Sequence, residues 1–166
     1  MGTFTEHIKQ AKANLEKLAL VNKNIPDSWD WQVTIGFYAA LHLISAHIVS
    51  KAQKNYMSHT HVNDAINPTT QFSVAKLDEA TYLAYNKLYQ LSRRARYLIN
   101  ENNERNKGVD IQHCHLTYDK HFRKAITHLN TIMNKMSSEH AITFAKHEIC
   151  CIELNGITFE NFTIIQ

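Results

Sequence analysis

Arg93, Arg96 and Tyr97 are the residues whose types and spacing most directly invite chemistry. On a helix they fall off the line drawn by Leu91, Ala95 and Leu98, so they face solvent or a groove. A planar guanidinium forks two hydrogen bonds onto a phosphate, and a neighbouring phenol ring offers a face to a base. The same three side chains also suit a plain surface cluster paired with Glu101 or Glu104, while Arg94 borders the apolar line and reads as structural. Tyr38 and His42, four residues apart, meet on one helix face. They form either a hydrogen-bonded pair inside the fold or the floor of a cleft. His42, His59 and His61 could supply three imidazoles to a metal, as could His113, Cys114 and His115 in part. No helical H-x-x-x-H pair and no paired carboxylates accompany them, so the expectation is no metal and no other cofactor. The sequence also lacks GxxxxGK(S/T), GxGxxG and GxSxG, which leaves P-loop, Rossmann and α/β-hydrolase chemistry unsupported.

Helices must hold these residues in place. Thr3-x-x-Glu6 is a capping box that opens a helix with Ile8, Ala11, Leu15 and Leu18 at 3–4 spacing, ended by Asn22 to Pro26. Ser28 is placed to cap a second helix running to about Lys51. That helix is apolar nearly all round, with Trp31, Ile35, Tyr38, His42, Ser45 and Val49 on one stripe and Phe37, Leu41, Ile44 and Ile48 on another. Two apolar faces predict a position in the middle of a bundle. A short helix ends before Pro68. Leu77, Ala80, Ala84, Leu88, Leu91, Ala95 and Leu98 mark a third long helix, and Tyr118, Phe122, Ala125, Leu129, Ile132 and Met136 a fourth. Between them Asn100 to Asp110, with Val109 its one apolar residue, reads as a solvated loop.

Beyond Ser138 the period changes. Ile149 to Phe159 reads as a β-hairpin turning at Asn155-Gly156 in a type I′ turn, with Ile152 opposite Phe159 and Leu154 opposite Ile157. The expected fold is therefore mainly α: an antiparallel up-down bundle of four long helices plus a short one over residues 1–138, with a small C-terminal β-hairpin appendage over residues 139–166. A lone hairpin is marginal in water, so this one must dock on the bundle, pair with residues 141–146 or add a strand to a partner chain.

Asp30-Trp31, then Phe37-Tyr38-Ala39-Ala40-Leu41-His42, then Ser58-His59, then Ser92-Arg93-Arg94-Ala95-Arg96-Tyr97 resembles the pattern of the bacterial stand-alone HEPN-like proteins. The match covers roughly residues 28 to 98. The resemblance implies an α-helical up-down bundle, usually a dimer, among prokaryotic defence and toxin–antitoxin proteins. There the domain acts as an endoribonuclease or as an RNA- or nucleotide-binding module. It also groups His59 and the Arg93, Arg96 and Tyr97 segment with Tyr38 and His42 in one binding site. The chain departs from the pattern after His59, where Thr60-His61-Val62-Asn63 stands near the place of an arginine that relatives often carry. The tail beyond about residue 138 has no counterpart in the pattern.

Active relatives carry an arginine, four to six residues, then a histidine. One group then serves as general acid–base while a cation stabilises the charged phosphorane, with no metal. Arg123 and His128 are the match in this chain and its candidate catalytic pair. Five residues along an unbroken helix set two side chains about 140° apart. Lys124 also stands where active members place a small polar residue. Non-catalytic RNA or nucleotide binding is therefore the first expectation, metal-independent RNA cleavage the second, and an antitoxin-like protein-interaction role the third.

Composition agrees with a globular chain of modest charge. Lys and Arg number 18 against 15 Asp and Glu, a net +3, mildly basic and far from a polybasic binder. Three cysteines, two of them the neighbours Cys150 and Cys151, suggest no disulfide framework. The first residues lack the apolar core of a secretory leader, and Trp31 to Val49 is interrupted by Gln32, Thr34, His42, Ser45 and His47. The expectation is a cytoplasmic homodimer that binds RNA or a nucleotide and no membrane.

Overall fold

Thr3 and Glu6 close the capping box at the start of α1 (Phe4–Asn24): the Glu6 N–H donates to Thr3 Oγ1 at 3.2 Å and the Thr3 N–H to Glu6 Oε2 at 2.7 Å. Ala11, Leu15 and Leu18 of its apolar stripe are buried. After residues 25–28 comes α2 (Trp29–Ala52), with Ser28 at the N-cap position but making no side-chain cap bond. α3 (His59–Ile66) stops ahead of Pro68. Asp78 caps α4 (Glu79–Tyr97), its Oδ1 accepting from the Thr81 N–H at 2.9 Å. α5 spans Asp119–His140.

This computed structural model describes residues 2–102, 110–113 and 116–166, and among them the fold is mainly helical. Residues 103–109 of the expected solvated loop, and Cys114 and His115 of one candidate metal set, lie outside the described residues. α2 packs against α1, α4 and α5 and touches α3. Phe37, Ala40, Leu43, Ile44 and Ile48 are buried on it, which accounts for a helix that is long and apolar enough to cross a membrane. The expected burial of both stripes holds on one side only. Trp31 is 63% exposed and Tyr38 37%, because the neighbouring helices take up the other sides of α2.

β1 (Ile99–Asn102) pairs antiparallel with β2 (Asp110–His113), and the two strands overlap the ends of the Asn100 to Asp110 stretch read as a solvated loop. A backbone ladder needs no apolar period, so a polar sequence hid it. Leu98 prepares this turn: it takes the left-handed conformation at φ 53°, its N–H donates to Arg94 O at 2.9 Å, and α4 ends there.

The C-terminal hairpin is not formed. β3 (His147–Cys150) instead pairs in parallel with β4 (Phe162–Ile165), Ile149 opposite Ile164. A 3-10 turn at Ile152–Leu154 leads into Asn155 at φ −57° and ψ 133°, followed by Gly156 at φ 80°. One negative then one positive φ is a type II turn, closed by the Ile157 N–H on Leu154 O at 3.0 Å. Burial explains the choice. The expected partners are split between core and water, with Leu154 and Phe159 buried while Ile152 is 74% and Ile157 38% exposed. Ile149, Leu154, Phe159 and Phe162 join the same core as the helices. Asn22, buried at the end of α1, holds β3 there with its amide. It donates to Cys150 O and to Gln32 Oε1, both at 2.9 Å, and accepts from the Cys150 N–H at 2.7 Å.

Candidate functional site

Four of the expected binding residues meet in one place. His59, Arg93, Arg96 and Tyr97 line an open cavity of about 500 Å³ together with Tyr89 and Ile99. α4 supplies Tyr89, Arg93 and Tyr97 at i, i+4 spacing together with Arg96, and α3 supplies the imidazole from its first residue. The left-handed turn at Leu98 brings Ile99 to the rim.

The cavity is built from rings under cations. His59 stacks at 5.0 Å on Tyr89 and 5.5 Å on Phe37, between ring centroids. Arg93 lies 5.8 Å over Tyr89. Arg96 sits 5.0 Å over Tyr97, 5.9 Å over Tyr38 and 6.0 Å over Phe37. Its Nε donates to Ser92 O and one terminal nitrogen to Ser92 Oγ, both at 3.2 Å. A guanidinium carries five N–H donors. Those on Arg96 beyond the Ser92 bonds have no protein acceptor among the described residues, nor does a carboxylate pair with its charge there. Burial, then the charges of Arg96 and Arg93, push the His59 imidazole below its ordinary pKa. His59 is thus a neutral donor and acceptor beside two permanent cations, an arrangement suited to an oxyanion with an attached ring.

Tyr38 borders this assembly through Arg96, but His42 does not line the cavity. Four residues carry His42 about 6 Å further along the helix. There its Nδ1 lies 3.1 Å from His7 Nδ1, while His7 Nε2 meets Asn55 Oδ1 at 2.9 Å. Burial, then His7, lowers the His42 pKa. The Arg123 and His128 pair is not joined either. His128 lines a separate groove between α4 and α5 with Lys87, Arg94, His121 and Lys124; Arg123 is not part of that lining.

The histidine sets disperse. His42 is on His7, His59 is in the cavity, and exposed His61 has its ring 6.1 Å from Tyr56. Among the described residues, metal-ligating atoms converge instead at His47, Glu139 and His140, a group the sequence spacing did not single out. His47 Nδ1 is 2.9 Å from His140 Nε2 and 3.8 Å from Glu139 Oε1. Lys51 at 2.8 Å and Lys135 at 3.1 Å already satisfy the carboxylate. Burial raises the Glu139 pKa, but these two lysines outweigh it and hold the carboxyl at about 2. The cluster reads as an ion-paired plug.

Tyr89, Phe37 and Ser92 are the site residues that spacing alone did not flag. Two had a signal, since Tyr89 lies four before Arg93 and Ser92 four before Arg96. No protein-family model, curated protein or solved structure matches the chain.

Proposed function

We propose that this chain is an RNA- or nucleotide-binding module, a HEPN-like up-down helical bundle of the prokaryotic defence or toxin–antitoxin type. In this reading it acts as a cytoplasmic homodimer without a cofactor. The observation that carries the reading is the one cavity in which His59, Arg93, Arg96, Tyr89 and Tyr97 come together. A phosphate takes the Arg96 donors beyond its Ser92 bonds and meets the Arg93 charge, the neutral His59 imidazole adds a hydrogen bond, and a base stacks on an exposed phenol. Tyr97, 57% exposed, is the ring best placed for that.

Binding of a labelled oligouridylate of about twelve nucleotides, a length within the usual single-strand site sizes, tests this. Each phosphate contact on a single strand adds about 0.7 to the slope of log K against log salt, so Arg93→Ala with Arg96→Ala should flatten it by about 1.4. Between about 50 and 200 mM salt the parent should lose about sevenfold more affinity than this double variant. Equal slopes for the two proteins would overturn the reading.

A further inference from the structure

The groove that holds His128 lies between α4 and α5, apart from the first cavity. It encloses about 220 Å³ and is lined by Lys87, Gln90, Arg94, His121 and Lys124 as well as His128. No carboxylate lines it among the described residues, and neither Lys87 nor Lys124 takes part in an ion pair there. Both of its histidines are pushed below the ordinary imidazole range, by burial first and then by Lys87 and Lys124 for His128 and by Arg94 and Lys124 for His121. Lys87 and Lys124 thus share one groove with no carboxylate among the described residues paired to either, and they are short of negative charge.

Its position relative to the first cavity is set by helix geometry. At 3.6 residues per turn, the side chains of α4 follow one another around its axis as Arg96, Arg93, Tyr97, Gln90, Arg94 and Lys87. Ala84, Leu88 and Ser92 fill the remaining arc and are buried. The first three line one cavity, the last three the other, and the outer face of α4 joins them. No acidic residue occurs between Lys87 and Tyr97. Around the axis the two pockets are thus at most about one helix diameter apart, about 10–12 Å, and along it their linings overlap between Tyr89 and Arg94.

We propose that Lys87 and Lys124 form a second phosphate site on the same ligand, so that the protein binds a single RNA strand draped across α4 rather than a mononucleotide. This rests on the RNA-binding reading of the first cavity. The tyrosines between the cations suit the bases of such a strand, because every base has a face to stack and the contact is tolerant of sequence.

The test adds Lys87→Gln with Lys124→Gln to the salt series above. Both lysines are exposed, so folding should be undisturbed. Loss of two phosphate contacts should flatten the oligouridylate slope by about 1.4, again about sevenfold between about 50 and 200 mM salt. Lys87→Arg with Lys124→Arg should restore it. If the glutamine variant keeps the parent's slope while the Arg93 and Arg96 variant does not, the second site is overturned and the first stands. If neither variant changes the slope, both readings fall. Polyglutamate of equal length competing as well as the oligouridylate would also overturn the strand assignment, because stacking would then contribute nothing.

Discussion

Asn22→Ala should loosen the C-terminal segment from the helices, and the size of the effect follows from three hydrogen bonds. The substitution removes the donor to Cys150 O, the acceptor of the Cys150 N–H and the donor to Gln32 Oε1. Asn22 is only 2% exposed, so water does not readily replace them. Each stranded group costs on the order of 1 kcal/mol or more, giving a loss of about 3 kcal/mol. In a chain of this length that lowers Tm by about 6–12 °C. Urea unfolding gives the free energy, and amide hydrogen exchange shows whether the loss is local, since the Cys150 amide should lose its protection. Asn22→Asp should cost at least as much, because its second oxygen faces the Cys150 carbonyl with no proton to offer. A loss below about 1 kcal/mol, or a Cys150 amide that stays protected in the alanine variant, would refute the view that this side chain anchors β3.

Two further outcomes are expected. The Tyr85 hydroxyl is buried without a hydrogen-bond partner among the described residues, and burial, then Tyr89, pushes its pKa up. Tyr85→Phe should therefore stabilise the fold by about 1 kcal/mol in urea unfolding, and a loss instead would reveal a partner for that oxygen. Stability should also fall on mild acidification. Burial holds His42, His47, His59, His121, His128, His140 and His147 below the ordinary value of 6.5. The unfolded chain then binds more protons, so this stability is complete above pH 6.5 and is lost as pH drops through the folded values. The Glu139 contribution runs at lower pH, complete above its ordinary 4.5 and lost toward about 2, so it leaves the imidazole effect visible. A Tm that does not move between pH 7.5 and 5 would contradict the histidine account.

Helix positions were legible because their signals are local. A capping box, a proline and a 3.6-residue apolar period act within a few residues, and Thr3, Pro68 and the Leu88 line each marked an element correctly. Asn155-Gly156 was local as well, but it marks a turn without saying which one. The choice between type I′ and type II lay in whether Leu154 and Phe159 could reach a core built by residues far away in the chain. The sequence also placed Arg93, Arg96 and Tyr97 on the outward side of their helix. Which ring would lie under each guanidinium, and that His59 rather than His42 would stand beside them, depended on how α3 and α2 pack against α4. His42 shows the reason most simply: four residues from Tyr38, it was carried a full turn along α2 to a partner, His7, that no nearby residue announced.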